Sequence, residues 1–245
     1  MTVFEKNLVI LPTYNESATL ETVVQGILDV ISQGVPLEIL IVDDNSPDGT
    51  GALADQISAY SPAVHVLHRP GKSGLGPAYL AGFDWGLTRD FENFIQMDAD
   101  GSHHPDQLPV ILKARLEGYE LVLGTRWMPG GEVHNWALGR RLISRFGTRY
   151  AAMALKLPYK DLTSGYRLLS RQLVEIIVKR GLKTSGYGFQ IEIVDIAVEH
   201  GFHITEVPIT FTERMGGSSK MSKAIVFEAW LGTSRAGFRR VINRR

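Results

Sequence analysis

Short β-branched runs alternate with longer amphipathic stretches through the first half of the chain, a pattern typical of parallel strands joined by crossover helices. Between Leu20 and Ile31, apolar residues recur at intervals of three and four, which predicts one buried helix face. Asn15 or Ser17 is expected to cap that helix. The predicted strands are Leu8 to Leu11, Ile39 to Val42, Val64 to Leu67, Phe94 to Met97 and Leu121 to Leu123. The sequence therefore predicts an α/β protein with a Rossmann-like, mainly parallel sheet flanked by helices.

Polar clusters follow three of the predicted strands. They read PTYNE (12–16), DDNSPDGT (43–50) and DADGSH (98–103). In a sheet of this kind, the carboxyl ends of the strands face the ligand crevice. We therefore expect the three clusters to converge on one edge of the sheet.

The rest of the chain has a different character. One domain, residues 1–234, is predicted to include an arginine-rich acceptor segment at 126–160, part of which has a helical pattern. Residues 235–245 form a basic C-terminal tail in which arginines alternate with apolar residues. Such a tail suits an anchor at an anionic membrane surface, although the helix preceding it could equally pack on its own domain.

Composition and charge narrow the choice of chemistry. The chain has 245 residues, no cysteine, and 26 basic against 26 acidic residues. Without thiolates, any metal is held by oxygen or imidazole, which favours Mg²⁺ or Mn²⁺, and the balanced charge argues against a nucleic-acid partner. No apolar run approaches the ~20 residues that span a bilayer, and the start lacks a signal-type pattern. We therefore expect a cytoplasmic protein.

A metal site is predicted where the fourth strand ends. Asp98 and Asp100 lie two residues apart, so in extended geometry both carboxylates point to the same side. Hard divalent cations accept one or two protein carboxylates plus substrate phosphates, and a departing diphosphate needs its charge neutralised. Ser102 or His103 could complete the ligand shell. The alternative is that this DAD motif is a solvated turn.

Two further clusters carry groups suited to a nucleotide. Asp43 and Asp44 end the second strand and lead into a polar turn with Asp48, which could contact ribose and base. Asp48 could also serve as an ordinary turn and helix-cap residue. Lys72 could approach the donor phosphates or be a solvated loop lysine.

The acceptor segment is strongly positive, with one acid among five arginines between residues 126 and 149. Guanidinium groups match phosphate oxygens bidentately, so a lipid phosphate is a natural ligand. On a helix, Ser144 lies one turn beyond Arg140. The alternative is a solvated basic helix face or a contact with anionic lipid. The five arginines are Arg126, Arg140, Arg141, Arg145 and Arg149.

Taken together, these motifs resemble glycosyltransferase family two, and within it the dolichyl- and polyprenyl-phosphate mannosyltransferases, including bacterial polyprenol monophosphomannose synthases. The likeness runs from about residue 7 to residue 223. Besides the three strand-end clusters, it rests on HRPGKSGLGPAY (68–79), GTRW (124–127), NWALGRRLISR (135–145), DLTSGYR (161–167), GYGFQIE (186–192) and EVPITFTERMGGSSKM (206–221).

The resemblance implies a GT-A fold in which Asp98 and Asp100 hold the metal and, with Arg126, act in catalysis. It implies that Arg126, Arg140 and Ser144 hold the acceptor phosphate. Some relatives carry glutamine at the position of Ser102, which leaves the third protein metal ligand open. The expected nucleotide-sugar contacts are Pro12, Tyr14, Glu16, Asp43, Asp44, Asp48, Lys72, Ala99, Gln190, Arg214 and Lys220, the last two in a glycine-containing stretch that could close over the diphosphate.

The expected reaction is transfer of mannose from GDP-mannose to a polyprenyl phosphate, with inversion, at the cytoplasmic face of the membrane. A sugar hydroxyl acceptor usually needs a general base. A phosphate monoester, whose second pKa is ~6, is already ionised at neutral pH and needs none. A separate integral membrane protein as partner stays open.

Three alternatives compete with this function. An enzyme of the same fold could use UDP-glucose or another sugar donor with a lipid phosphate. A non-catalytic nucleotide-sugar-binding protein would be expected to lack the metal site, yet both aspartates are present. A sugar-phosphate nucleotidyltransferase is disfavoured by the arginine-rich segment and by the absence of a glycine-rich amino-terminal loop.

Overall fold

The computed structural model describes residues 5–184 and 188–213, which form a sheet with helices on both faces. The strands in this part of the chain are β1 (Asn7–Thr13), β2 (Leu37–Asp43), β3 (Val64–His68), β4 (Asn93–Gln96), β5 (Leu121–Thr125), β6 (Glu132–His134), β7 (Arg167–Ser170), β8 (Ile204–Pro208) and β9 (Thr210–Thr212). The helices are α1 (Leu20–Ser32), α2 (Thr50–Tyr60), α3 (Leu75–Leu87), α4 (Leu108–Leu116), α5 (Leu138–Leu155), α6 (Arg171–Arg180) and α7 (Gly188–Glu199).

Seven strands form the main sheet in the order β3-β2-β1-β4-β7-β5-β8. Every neighbouring pair is parallel except those of β7, which runs antiparallel to β4 and β5. The mainly parallel sheet is thus confirmed, and all five predicted strands are present. The strands β7 and β8, and a two-stranded parallel sheet of β6 and β9, were not predicted. The order reverses between β1 and β4, which places a ligand crevice at their carboxyl ends.

Both faces of the sheet are buried. Leu8 and Ile10 belong to a core formed with α3, α6 and α7, whereas Val9 and Leu11 belong to a second core formed with α1, α2 and α4. Side chains alternate between the faces of a strand, so a strand covered on both sides reads as a continuous apolar run. This is why β1 has no polar alternation.

The start of α1 differs from the prediction. Its N-cap is Thr19, and neither Asn15 nor Ser17 caps the helix. The backbone N–H groups of those two residues instead donate to the Ser46 hydroxyl (3.1 Å) and to Asp48 Oδ2 (3.1 Å). The polar loops after β1 and β2 are therefore bonded to each other.

Helix α5 confirms the helical part of the acceptor segment. Its buried face is short, formed by Thr148, Ala151 and Leu155. Within residues 5–184 and 188–213, no helix has the length and apolarity that crossing a bilayer requires. Residues 214–245 lie outside the described residues, so the division into a domain and a basic tail stays a prediction. The large apolar side chains that α5 exposes are Leu138, Leu142, Ile143, Phe146 and Met153.

A fully buried arginine holds the loop that precedes β7. Arg167 donates to the carbonyl oxygens of Leu162 (2.7 Å), Ser164 (2.7 Å) and Gln190 (2.6 Å). Burial lowers the pKa of Arg167 to about 9, which still leaves it charged at neutral pH. One side chain thus joins this loop to the first turn of α7.

We predict that Arg167→Met lowers the free energy of unfolding by at least ~3 kcal/mol, because three buried carbonyls lose a charged donor. Arg171→Met is the matched control, since Arg171 also donates to three carbonyls but its side chain is 26% exposed. Water can solvate the carbonyls left there, so the loss should stay below ~2 kcal/mol. Urea denaturation measures both, and equal losses would contradict the role assigned to burial.

Candidate active site

The three predicted polar clusters lie together at the carboxyl ends of β1, β2 and β4. The N–H of Asp44 donates to the carbonyl of Thr13 (3.1 Å), which joins the end of β2 to the end of β1. The Thr19 hydroxyl donates to the carbonyl of Ala99 (2.8 Å), which joins the β1–α1 loop to the DAD loop. This is the crevice that the reversal of strand order creates.

The DAD motif follows β4, as predicted, but β4 ends at Gln96 and the motif leads into a bend, so its backbone is not in the extended geometry that was expected. Asp98 keeps 31% of its side chain exposed, whereas Asp100 is buried and its Oδ1 accepts the N–H of Ser102 (3.0 Å). The Ser102 hydroxyl is buried and has no hydrogen-bond partner among the described residues. Two carboxylates and an orphaned hydroxyl form an oxygen-donor set that fits Mg²⁺ or Mn²⁺.

His103, the alternative third ligand, has a different task. Its Nδ1 accepts the backbone N–H of Asp98 (3.0 Å), and its ring stacks on Tyr166 at 4.9 Å. Burial lowers the pKa of His103 to about 3, so the ring is neutral and its proton resides on Nε2. Since Nδ1 is occupied, His103 supports the DAD loop, and Ser102 is the better ligand. In the described part of the chain, no three His, Cys, Asp or Glu residues are grouped so that they could hold a metal ion by themselves. A cation held here would take its remaining ligands from substrate phosphates and water.

Two of the carboxylates expected to contact the nucleotide accept hydrogen bonds from the protein itself, both from their own loop and from the end of β1 or the loop that follows it. Asp43 Oδ1 accepts from the hydroxyls of Thr13 (3.1 Å) and Ser46 (2.6 Å). Asp48 accepts from the N–H (3.0 Å) and hydroxyl (2.5 Å) of Thr50 and from the N–H of Ser17. Burial opposes ionisation of Asp48, but these hydrogen bonds outweigh it and lower its pKa to about 2. The turn interpretation of Asp48 is therefore present in the structure, whereas the N-cap of α2 is Gly49, without a side-chain cap hydrogen bond.

Asp44 has a partner that the sequence analysis missed. The Arg69 guanidinium donates to Asp44 Oδ1 and, at 2.5 Å, to the Ser73 hydroxyl. Burial raises the pKa of Asp44, with the charge of Arg69 opposing that effect. In the same loop, the Lys72 ammonium lies 4.1 Å from the ring centroid of Tyr14. The β3–α3 loop thus folds back onto the residues expected to hold the nucleoside.

The remaining donor-site residues are found in separate places. Pro12 lies in β1 opposite Val42, and the N–H of Glu16 donates to the Thr50 hydroxyl (3.0 Å). Gln190 lies in the first turn of α7, and its side-chain amide is buried with no partner in residues 5–184 and 188–213. Arg214 and Lys220 lie outside the described residues.

Arg126 forms a buried ion pair that the sequence did not indicate. Its Nε and Nη2 donate to the two carboxylate oxygens of Asp161 at 2.7 and 2.9 Å, and Nη2 also reaches the Thr163 hydroxyl (3.2 Å). Burial opposes ionisation of Asp161, but the charge and hydrogen bonds of Arg126 outweigh it and hold the pKa of Asp161 below its usual range. Among the described residues Nη1 has no hydrogen-bond partner, so it is the group left for an incoming anion. The DLTSGYR motif contained Asp161, but its partner depends on the fold.

Arg140 and Ser144 lie one helical turn apart on α5. The Arg140 guanidinium donates to Glu213 Oε1 (2.5 Å) and lies 4.2 Å from the ring centroid of Trp136. The same ring lies 5.5 Å from the guanidinium carbon of Arg126. Two of the predicted acceptor arginines therefore flank one aromatic side chain.

Phe211 connects the cluster formed by Arg126, Arg140 and Trp136 with the DAD loop. Its ring contacts Trp136 at 5.3 Å and His103 at 5.3 Å, and it lies 5.4 Å from the guanidinium carbon of Arg126. The N–H of Thr212 also donates to the carbonyl of Ser102 (3.1 Å). Carboxylates suited to a metal diphosphate therefore lie next to guanidinium groups suited to a second anion. This arrangement suits a reaction that transfers a chemical group between two phosphate-bearing substrates.

Sequence comparisons identify similar proteins over nearly the whole chain. The polyprenol monophosphomannose synthase of Mycolicibacterium smegmatis is 44% identical over 241 residues, covering 98% of this chain and 90% of that protein. The undecaprenyl-phosphate mannosyltransferase of Micrococcus luteus is 45% identical over 230 residues, covering 94% and 93%. The resemblance inferred from the motifs is thereby confirmed.

Solved structures share the fold. Glucosyl-3-phosphoglycerate synthase from Mycobacterium tuberculosis, in complex with Mn²⁺, UDP-glucose and phosphoglyceric acid, superposes with a TM-score of 0.71 at 21% identity, covering 96% of this chain and 80% of that chain. Its complex with phosphoglyceric acid gives a TM-score of 0.70 at 21% identity, covering 95% and 80%. The predicted GT-A fold is confirmed. Residues 8–177 match the family described as Glycosyl transferase family 2, and the chain belongs to that family.

Proposed function

We propose that this protein transfers mannose from GDP-mannose to a polyprenyl phosphate with inversion, at the cytoplasmic surface of a membrane. The observation that carries the proposal is the contact of Phe211 with both His103 of the DAD loop and Arg126, which lies beside Trp136 and Arg140. It brings a site for a donor diphosphate next to arginines suited to an acceptor phosphate. The names of the two relatives, both above 40% identity, support mannose and a polyprenyl phosphate as substrates.

Asp98, Asp100 and Ser102 would hold a divalent cation. Such an ion neutralises the charge that develops on a departing diphosphate. The Mn²⁺ bound with UDP-glucose in the similar synthase supports this assignment. His103 keeps the backbone of Asp98 in place, and Tyr166 keeps the ring of His103 in place.

The acceptor phosphate would meet Arg140, Ser144 and the Nη1 group of Arg126. These residues align the phosphate and compensate its charge, which is the help that an already ionised nucleophile needs. Asp161 keeps Arg126 in position and, being bound to it, stays ionised. Direct displacement by this phosphate inverts the sugar carbon, so the product is a β-linked polyprenyl-phosphate mannose.

The outer face of α5 supports a membrane-bound acceptor. Phe146 is 70% exposed, and Leu142 and Ile143 are more than half exposed, beside the exposed arginines Arg145 and Arg149. A helix with apolar and basic side chains on its outer face suits the surface of an anionic membrane. Because the same helix carries Arg140 and Ser144, membrane contact would bring a lipid phosphate to its binding groups.

We predict that Asp100→Ala lowers mannosyl transfer by about 10²-fold or more, since a group that stabilises transition-state charge is lost. The assay combines labelled GDP-mannose, Mg²⁺ or Mn²⁺, and a short polyprenyl phosphate, with the labelled lipid as readout. Asp106→Ala is the control, because Asp106 is an exposed acid just beyond the DAD loop. Transfer from UDP-glucose and not from GDP-mannose would instead establish the alternative donor, and absence of any transfer would refute the function.

Ser102→Ala should raise the metal concentration that gives half-maximal activity about 10-fold. Substitution of a group that supports a bound metal typically weakens metal binding by about 10–100-fold. The turnover rate at saturating metal should change much less. Metal titration of the transferase activity measures both. An unchanged titration curve would remove Ser102 from the ligand set.

For membrane binding, we predict that Leu142→Ser combined with Phe146→Ser reduces flotation with vesicles of anionic lipid, since both apolar side chains are exposed. Transfer to a short acceptor in detergent should persist. Deletion of residues 235–245 provides the comparison. If the double variant floats as wild type does and the variant lacking residues 235–245 does not float, the tail alone binds the membrane.

A further inference from the structure

The two arginines that flank Trp136 each carry a carboxylate, but the two ion pairs differ. Arg126 and Asp161 are joined by two short hydrogen bonds, with side chains 7% and 0% exposed. Arg140 and Glu213 are joined by one hydrogen bond, with side chains 24% and 37% exposed. Removing one partner from a buried pair leaves an uncompensated charge and is strongly unfavourable. Exposed pairs contribute little. The Arg140–Glu213 contact is therefore the exchangeable one.

We propose that Glu213 competes with the acceptor for Arg140: its carboxylate occupies the guanidinium until a phosphate monoester displaces it. This inference rests on the proposed function. Near neutral pH, a phosphate monoester carries a charge of about −1.5 to −2 and three acceptor oxygens, against a single charge on the carboxylate. A dianionic lipid head displaces Glu213, whereas an uncharged polyprenol gains too little at Arg140 to do so.

The backbone around Glu213 allows this exchange without rearrangement of the site. The N–H of Glu213 donates to the carbonyl of His134 (3.1 Å), and the N–H of Thr212 donates to the carbonyl of Ser102 (3.1 Å). His104 also contacts the Thr212 hydroxyl at 2.8 Å. Because these bonds hold the main chain, only the Glu213 side chain has to move.

The test is Glu213→Gln, which keeps the shape of the side chain and removes its charge. We expect about two- to fivefold tighter binding of farnesyl phosphate, a short polyprenyl monophosphate, because a competing contact of the strength of an exposed ion pair is lost. Titration calorimetry measures the affinity, with inorganic phosphate and the uncharged alcohol farnesol as further ligands. Inorganic phosphate should gain similarly, whereas farnesol should not gain.

Glu132→Gln is the matched control. Glu132 lies on β6 beside β9, and its carboxylate contacts His134 and not Arg140. The Glu132→Gln substitution removes one negative charge near the acceptor site, as Glu213→Gln does, so it reports the effect of net charge alone. In an Arg140→Gln background, Glu213→Gln should have no effect, because the contact no longer exists.

The outcomes separate this inference from the function on which it rests. One outcome would overturn the role of Glu213 alone. Farnesyl phosphate would bind wild type and bind Arg140→Gln more weakly, yet bind Glu213→Gln no more tightly than Glu132→Gln. Weaker binding to Glu213→Gln overturns it as well and assigns Glu213 a supporting role for Arg140. Absence of binding to wild type, or indifference to Arg140→Gln, overturns the proposed acceptor site and this inference with it.

Discussion

One buried guanidinium is the contact on which the rest of the site depends. Arg167 is fully buried and binds three backbone carbonyls in the protein interior, where hydrogen bonds from a charged donor are strong. The loop it holds carries Asp161, which orients Arg126, and ends in Tyr166, on which His103 stacks. His103 in turn accepts the backbone N–H at the start of the DAD motif. The DAD loop and Arg126 therefore share this support.

The two arginine–carboxylate pairs of the site differ in solvent exposure and therefore in function. The pair between Arg126 and Asp161 is nearly inaccessible to water, so it serves as a fixed element of the site. The pair between Arg140 and Glu213 is partly solvated and has one hydrogen bond, so an incoming anion can replace one partner. Both arginines contact Trp136, which keeps the fixed and the exchangeable cation close together.

Much of the sheet could be predicted because its signal is local. The strands β1 to β5 are short apolar runs separated by helical periodicity, and covering of both sheet faces explains their lack of alternation. Strand β7 escaped prediction because it has only four residues, Arg167–Ser170, and begins with a charged one. Its antiparallel insertion between β4 and β5 depends on long-range pairing, which no local pattern reports.

The sequence predicted which residues belong to the candidate site, but it did not predict their hydrogen-bond and ion-pair partners. Polar residues in a strand-end motif can satisfy the loop that carries them or face a ligand, and both uses have the same sequence pattern. Hydrogen bonding separates the two: Asp43 and Asp48 accept hydrogen bonds from their own loop and from β1 or the loop that follows it, whereas the Ser102 hydroxyl is buried with no partner in the described chain. A buried polar atom without a partner is unfavourable unless something else binds it. The unsatisfied hydroxyl, two residues from Asp100, therefore supports the cation that we propose for this edge of the sheet.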